Sequence, residues 1–214
     1  MINEDQVKTI VAEVLKNIDM RERIKSGSIP CGVSNRHLHV SQQDLETLFG
    51  KGYELKSLKP LSQPGQFAAE ETVLLVGPKG SIEKCRILGP VRPATQVEIS
   101  TTDSFKLGVK PVVRDSGDTA GTPGCVLVGP KGAVTLKEGV IIAARHMHIS
   151  TVEAAKFGLK DMDRIAIRTS GPKSVIFNNV LVRVSDKFAL DFHLDTDEAN
   201  GAGVKNGDMV EIVA

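Results

Sequence analysis

A six-residue segment that occurs twice constrains the fold of this chain more than any other feature. Residues 36–41 read Arg-His-Leu-His-Val-Ser, and residues 145–150, 109 positions later, read Arg-His-Met-His-Ile-Ser. Each copy ends in a serine that is followed three residues on by an acid, which is the pattern of a capped helix N-terminus. A segment that recurs in the same local context indicates a duplicated structural unit, so we expect two related halves.

Weaker similarities extend the repeat towards the end of each half. A Gly-Val-Lys triplet at 108–110 recurs at 203–205, 95 positions later. When the same offset is carried back a few residues, Glu98 aligns with His193, and each lies in a strand-like run. The repeat therefore predicts that these two residues occupy corresponding places in the two halves.

The remainder of the chain has the sequence pattern of a β protein. Short runs rich in β-branched residues alternate with glycine and proline, as in barrels and sandwiches. These runs are 72–76, 96–100, 125–128, 140–143, 164–168 and 179–184. We therefore predict a mainly β fold with short helices, built as two small related β-barrel domains from an internal duplication.

The N-terminal residues differ from the rest. Apolar residues follow helical spacing there, with charged residues on the other side; the apolar positions are Val7, Ile10, Val11, Val14, Leu15 and Ile18. The pattern predicts an amphipathic helix over 1–20, and the charged and small residues that follow predict a linker over 21–28.

Composition excludes several functional classes. Lysine and arginine number 27 against 26 acidic residues, so no net charge attracts nucleic acid or an anionic membrane. One tyrosine, seven phenylalanines and no tryptophan are too few to stack successive bases. The three cysteines fit neither a disulfide framework nor paired zinc ligands, which favours a reducing cytosol. No membrane-spanning apolar run, P-loop or dinucleotide-binding glycine fingerprint occurs.

The repeated His-x-His pairs are candidate metal ligands. Alternate side chains of a strand leave the same face, so the two histidines of each pair point together. All five histidines of the chain lie in this pattern. Three protein ligands leave a coordination position open, as in catalytic zinc sites, although cobalt, nickel or iron would also accept these ligand types. The predicted ligands are His37, His39 and Glu98 in the first half and His146, His148 and His193 in the second.

Arg92 is a candidate anion-binding residue. It stands between two prolines, Pro90 and Pro93, six residues before Glu98. The prolines restrict the backbone, and a guanidinium can grip phosphate with two parallel hydrogen bonds. A surface ion pair is the alternative interpretation.

Four further segments have two interpretations each. Gly-Pro-Lys-Gly occurs at 77–80 and 129–132, and Gly-Pro-Lys at 171–173. These segments predict hairpin turns, whose lysines could also meet a phosphate. The small, polar residues 115–124 predict either a substrate loop or the connector between the halves.

The segments 30–39, 89–98 and 144–148, with the residues around His193, together resemble the phosphate propanoyltransferase family. These enzymes are phosphotransacylases of bacterial microcompartments that degrade propanediol and related substrates. The resemblance runs from about Ile29 to the C-terminus. It implies a pair of small β-barrels, one over 36–143 and the other formed by 29–35 plus 144–214.

The resemblance also implies roles for individual residues. It implies a zinc ion on each predicted ligand set and phosphate held by Arg92, which makes Arg92 the catalytic residue. For coenzyme A it implies contacts with Val33, Ser34, Asn35, Lys79, Arg86 and Asn200.

The expected reaction converts propanoyl-CoA or acetyl-CoA plus phosphate into acyl phosphate plus coenzyme A, by direct attack of phosphate. Cys31 offers a ping-pong alternative, although a lone cysteine in a strand favours buried packing. A zinc-dependent hydrolase and a non-catalytic, zinc-stabilised binding barrel are the competing hypotheses. The resemblance implies a cytoplasmic homo-oligomer inside a microcompartment, whose helix over 1–20 contacts shell or cargo proteins. The alternatives are a helix that docks on its own domain and one that mediates oligomerisation.

Overall fold

The computed structural model describes residues 27–213 and, before them, Val7, Val11 and Val14. The helix predicted over 1–20 and most of the linker predicted over 21–28 therefore lie outside the described residues. Over 27–213 the chain is mainly β with four short helices, which confirms the predicted fold class. None of the helices in the described part of the chain has the length and hydropathy that crossing a bilayer requires.

Fifteen strands and four helices follow one another along residues 27–213. The strands are β1 (Ser28–Ser34), β2 (His37–His39), β3 (Ser57–Pro60), β4 (Phe67–Val76), β5 (Ser81–Gly89), β6 (Gln96–Glu98), β7 (Val113–Arg114), β8 (Cys125–Val128), β9 (Ala133–Leu136), β10 (Val140–Ala143), β11 (His146–Ile149), β12 (Arg164–Arg168), β13 (Ile176–Val184), β14 (Asp191–Asp195) and β15 (Met209–Val213). The helices are α1 (Gln42–Phe49), α2 (Thr101–Leu107), α3 (Thr151–Phe157) and α4 (Thr196–Ala202).

The strands form two sheets. One is a closed barrel with the strand order β1-β14-β11-β13-β12-β15, in which β1 is parallel to β14 and antiparallel to β15. The other follows the path β7-β10-β6-β2-β5-β4-β8-β9, with β3 added to β4, and it does not close. The strand that precedes the first half thus completes the barrel of the second half.

Each helix begins directly after a strand that carries predicted ligands. The predicted caps Ser41 and Ser150 accept hydrogen bonds from backbone amides three residues on, at 3.1 Å and 3.2 Å. Ser100 and Asp195 cap α2 and α4 in the same way. Such a cap accepts a hydrogen bond from an amide that the first helical turn leaves free. The same unit, a strand followed by a capping residue and a helix, therefore occurs four times in the described part of the chain.

The Gly-Pro-Lys-Gly segments are turns that close on helix C-termini. The backbone amide of Lys79 donates to the carbonyl of Leu107 at 3.0 Å, and that of Lys131 donates to the carbonyl of Leu48 at 3.0 Å. A Cβ at Gly77 would lie 2.3 Å from the Leu107 oxygen, so a side chain does not fit there. These turns therefore satisfy the last carbonyls of α2 and α1.

Two hydrophobic cores lie behind the two candidate ligand pairs. Leu38, between His37 and His39, is fully buried in the core of the first half. Met147, between His146 and His148, is fully buried inside the barrel. Because side chains alternate along a strand, both histidine pairs face away from their cores.

Candidate active site

In each half the third predicted ligand lies directly across the sheet from the first histidine. His37 on β2 pairs with Glu98 on the antiparallel strand β6, and His146 on β11 pairs with His193 on the antiparallel strand β14. Directly opposed residues have their side chains on the same face, so each triplet converges. The alignment of Glu98 with His193 that the repeat predicts is reproduced in this register, while the duplication itself stays a prediction.

The first cluster, His37, His39 and Glu98, is buried and compact. Nε2 of His37 lies 3.4 Å from Oε2 of Glu98, and Nε2 of His39 lies 3.9 Å from Oε1. Nδ1 of His37 lies 2.8 Å from the Asn35 carbonyl, and Nδ1 of His39 lies 3.3 Å from the Leu88 carbonyl. Donation from Nδ1 to these carbonyls leaves both Nε2 lone pairs directed at the cluster.

Glu98 is held by two polar side chains that no sequence motif singles out. Oε1 of Glu98 accepts hydrogen bonds from Nε2 of Gln96 at 2.6 Å and from Oγ of Ser116 at 2.9 Å. The amide of Gly117 donates to Oε1 of Gln96 at 2.8 Å. The segment 115–124 is therefore tied to this cluster, and Oε2 of Glu98 is left to face a cation.

The second cluster, His146, His148 and His193, is equally tight. The Nε2 atoms of His146 and His148 lie 3.1 Å apart, and Nδ1 of His146 lies 2.9 Å from the Ala144 carbonyl. Nε2 of His193 lies 2.8 Å from Oδ2 of Asp191. Nδ1 of His148 is buried and has no hydrogen-bond partner among the described residues. Because Nδ1 of His146 donates to a carbonyl, its Nε2 lone pair faces Nε2 of His148, where a cation can be held between the two rings.

Burial sets the charge of both clusters. Burial, and after it the charge of neighbouring histidines, lowers the pKa of His39 to about 3, of His146 to about 4 and of His148 to about 2. Burial alone would raise the pKa of Glu98, but His37 and His39 hold it at about 2. At neutral pH these three imidazoles are therefore neutral and the carboxylate is ionised, which are the protonation states that bind metal.

The donor spacing fits zinc. A tetrahedral ion with bonds of about 2.0 Å places its ligand atoms about 3.3 Å apart. His37 Nε2 and Glu98 Oε2 lie 3.4 Å apart in the first cluster, and the Nε2 atoms of His146 and His148 lie 3.1 Å apart in the second. Within each cluster all three ligand atoms lie within 4.8 Å of one another. The residues therefore suit one transition-metal ion in each half.

Both clusters open on one cleft between the halves. The lining includes His37 and Glu98 from the first cluster, His146 and His193 from the second, and Ser34 and Asn35 at the end of β1.

Arg92 lies in the loop between β5 and β6, and it is not among the residues that line the cleft, although its charge acts on both clusters. Its backbone amide donates to the Val40 carbonyl at 2.9 Å, which fixes the loop beside the start of α1. Its charge contributes to the lowered pKa of both His39 and His148, after burial and the neighbouring histidines. The Arg92 side chain forms no hydrogen bond or ion pair with the described residues, so the surface ion pair considered from sequence is not observed.

The predicted coenzyme A contacts fall in several places. Ser34 and Asn35 line the cleft, and the amide of Val33 donates to Oδ1 of Asn206 at 3.2 Å. Lys79 in its turn and the exposed Asn200 on α4 lie outside the cleft lining.

Arg86 occupies a place next to the first cluster. It pairs with His37 across the parallel strands β5 and β2. Its Nη1 donates to the Ala69 carbonyl at 2.6 Å, which orients the guanidinium. Arg86 is thus next to the cleft-lining His37 without itself belonging to the lining.

The arginine that opens each repeated segment supports the site. Arg36 donates from Nε to both oxygens of Asp103 at 3.0 Å and 2.9 Å, and Nε of Arg145 lies 2.8 Å from Oε1 of Glu198. Asp103 and Glu198 are the acids of the capping boxes of α2 and α4. Each arginine therefore joins a histidine pair to the helix that follows the third ligand.

Comparison with known proteins assigns the chain to a family. A profile described as phosphate propanoyltransferase matches residues 30–205. A phosphate propanoyltransferase of Thermotoga maritima is 58% identical over 190 residues, covering 88% of this chain and 90% of the relative. A relative of the same description from Priestia megaterium is 49% identical, and the match covers 97% of this chain and 95% of the relative. One from Lachnoclostridium phytofermentans is 47% identical, and the match covers 99% of this chain and 100% of the relative. The chain therefore belongs to the phosphate propanoyltransferase family of acyltransferases.

Proposed function

We propose that this chain interconverts a short-chain acyl-CoA plus phosphate with acyl phosphate plus coenzyme A. The observations that carry the proposal are two ligand clusters that open on one cleft and the positive charge that Arg92 places near His39 and His148. The relatives are named for propanoyl transfer, so propanoyl-CoA is the first candidate substrate and acetyl-CoA the second.

The proposed cofactors are two zinc ions, one on His37, His39 and Glu98 and one on His146, His148 and His193. The donor spacing and the neutral imidazoles support this assignment, and other divalent transition metals share the same ligand preferences. A zinc ion bound there supplies positive charge to an oxygen that becomes negative during the reaction.

Arg92 is proposed to hold phosphate with one oxygen aimed at the thioester carbonyl. Holding both reactants in one cleft converts a bimolecular encounter into an effectively unimolecular step. A carbon–oxygen bond to phosphate forms and the carbon–sulfur bond breaks, and coenzyme A leaves as a thiolate. Because a thiolate is a good leaving group near neutral pH, no dedicated general acid is needed.

Cys31 is poorly suited to carry an acyl group. It is 1% exposed and belongs to the core of the barrel. Burial, and secondarily Asp191, raises the pKa of its thiol to about 12. Because the thiolate is the reactive form, a neutral buried thiol supports direct attack by phosphate over a ping-pong route.

Coenzyme A is proposed to contact Val33, Ser34, Asn35, Lys79, Arg86 and Asn200. The cleft position of Ser34 and Asn35 supports the first contacts, and Arg86 beside His37 offers a cation for a phosphate of the cofactor.

The finer organisation is also a proposal. We assign 36–143 to a first domain and 29–35 plus 144–214 to a second, which agrees with the path of the two sheets. The amphipathic pattern over 1–20 supports contact of that segment with shell or cargo proteins of a bacterial microcompartment, within the cytoplasm, or assembly of a homo-oligomer.

Thiol release measured with phosphate present and absent tests the proposal. Propanoyl-CoA and acetyl-CoA are each incubated with zinc-loaded protein, and free thiol and acyl phosphate are quantified. We expect both products in equal amounts and only when phosphate is present. Thiol release without phosphate indicates a hydrolase, and no turnover indicates a binding protein.

A further inference from the structure

Arg183 lies on the same face of the barrel as the second cluster. Strands β11 and β13 are parallel, and His148 pairs with Arg183 while Met147 pairs with Val182. Met147 and Val182 are both fully buried in the barrel core. Since successive residues of a strand alternate between faces, Arg183 points out of the core beside His148.

Arg183 is half-buried and has no counter-ion of its own. Its side chain forms no hydrogen bond or ion pair with any residue that the structure describes. Arg36 and Arg145, by contrast, are each paired with a carboxylate. A partly buried guanidinium without a partner is costly, so a site that keeps one is suited to an anionic ligand.

Arg183 and Arg92 belong to different halves, and both place positive charge near His148. Both lower the pKa of His148, after burial and the neighbouring histidines, whereas the pKa of Arg92 is lowered by burial first and by Arg183 after it. The two acids beside the ligand clusters have other partners, since Glu98 faces His37 and Asp191 is bonded to His193.

We propose that Arg183 is a second phosphate-binding residue, which grips the anion from the barrel while Arg92 grips it from the first half. The proposal rests on the proposed function, and it names a residue of that site. Two guanidiniums can each hold an oxygen edge of phosphate, and their separate origins make the phosphate site depend on both halves. The same contacts hold the phosphoryl group of acyl phosphate in the reverse direction.

The experiment compares Arg183→Gln and Arg183→Lys with the matched control Arg168→Gln. Arg168 is an exposed arginine of the same barrel that pairs with Ile176, near the other end of β13. Initial rates are measured with phosphate and propanoyl-CoA varied separately, and inorganic phosphate binding is measured by calorimetry without acyl-CoA. Zinc content and thermal midpoint are recorded for each variant.

For Arg183→Gln we expect the KM for phosphate and the calorimetric Kd to rise at least about tenfold, with the KM for propanoyl-CoA within about twofold of the original protein. Arg183→Lys should recover part of the loss, because it restores the charge without the planar fork. Arg168→Gln should leave all three constants unchanged.

Two results would overturn the proposal. One is an unchanged KM and Kd for phosphate in both Arg183 variants. The other is a raised KM for propanoyl-CoA alone, which would assign Arg183 to the nucleotide part of coenzyme A. Failure of the proposed function is visible separately, since the unaltered protein would then form no acyl phosphate while calorimetry still measures its phosphate affinity.

Discussion

Nε2 of His193 lies 2.8 Å from Oδ2 of Asp191, two residues earlier on the same strand. Gly32 on the adjacent strand β1 leaves room for this pair, because a Cβ there would lie 2.7 Å from Cδ2 of His193 and 3.0 Å from the Asp191 carboxylate. Donation from Nε2 leaves the Nδ1 lone pair of His193 for a cation.

We predict that Asp191→Asn weakens zinc binding in the second cluster about 10-fold to 100-fold, because the neutral amide orients and polarises the imidazole less than the carboxylate does. Zinc retained after dialysis against graded chelator concentrations measures the effect. Asp195→Asn is the matched control, since Asp195 caps α4 and asparagine caps equally well. Equal retention of two zinc ions by both variants would remove Asp191 from the site.

Metal removal provides a second prediction. Strong chelation should abolish acyl phosphate formation, and added zinc or cobalt should restore it, because three-ligand sites hold a catalytic ion that can be exchanged. His146→Ala and His193→Ala should each lower turnover at least about a hundredfold at saturating zinc. Circular dichroism checks that the chelated protein remains folded. Full activity in protein shown by elemental analysis to be metal-free would contradict the zinc proposal.

Replacement of Arg92 separates a transferase from a hydrolase. Arg92→Ala and Arg92→Lys should both lose about 2 to 3 kcal/mol of transition-state stabilisation, because an ammonium cannot replace the two-point contact of a guanidinium. Zinc content should stay normal, since Arg92 is not a proposed ligand. Steady-state rates with phosphate varied measure the loss. Wild-type phosphate dependence in both variants would exclude Arg92 from the mechanism.

Acidification should lower the free energy of unfolding of the metal-free protein, and this should begin at pH values well above those at which its carboxylates protonate. His39, His146 and His148 have lowered pKa values in the folded chain, so below about pH 6.5 the unfolded chain binds more protons than the folded chain. The free energy of unfolding should therefore fall by at least about 2 kcal/mol between pH 7 and pH 5.

Urea denaturation of chelated protein at the two pH values measures this change. In His148→Gln one titrating group is absent, so the difference in free energy between pH 7 and pH 5 should shrink. An identical difference in this variant would show that His148 titrates alike in the folded and unfolded chains.

Removal of residues 1–20 should leave turnover in free solution nearly unchanged, because no predicted ligand or substrate contact precedes Ile29. The segment is proposed to act in self-association or packaging, so light scattering and co-sedimentation with shell proteins should change instead. Kinetics of the truncated and full-length proteins, side by side, measure the first part. A folded but inactive truncated protein would assign the segment to the active site.

Local sequence patterns account for much of the fold. The caps at Ser41 and Ser150 follow from the chemistry of a helix start, which involves only a few neighbouring residues. The convergence of each ligand triplet was predictable because the repeat aligned Glu98 with His193. The sequence did not predict that the first-half sheet stays open. Closure of a sheet depends on the pairing of its edge strands, and one of these, Val113–Arg114, is only two residues long.

Contacts between distant segments account for what the sequence did not reveal. Ser116 supports Glu98 only because a loop returns to the end of β6. Arg183 lies within an apolar run, and its position beside His148 depends on the parallel register of two strands. A single sequence contains no local signal for such a register, since it is set by the packing of the whole barrel.

The place of β1 in the barrel has a consequence for biosynthesis. Ser28–Ser34 leaves the ribosome before the other strands of both sheets, yet its partners Asp191–Asp195 and Met209–Val213 are translated last. The first-half sheet can assemble while translation continues, whereas the earliest strand must wait with its hydrogen-bonding edges unpaired. The barrel, and with it the cleft, can therefore form only after translation of β15, and a ribosome that stalls before that point leaves an exposed strand prone to aggregation.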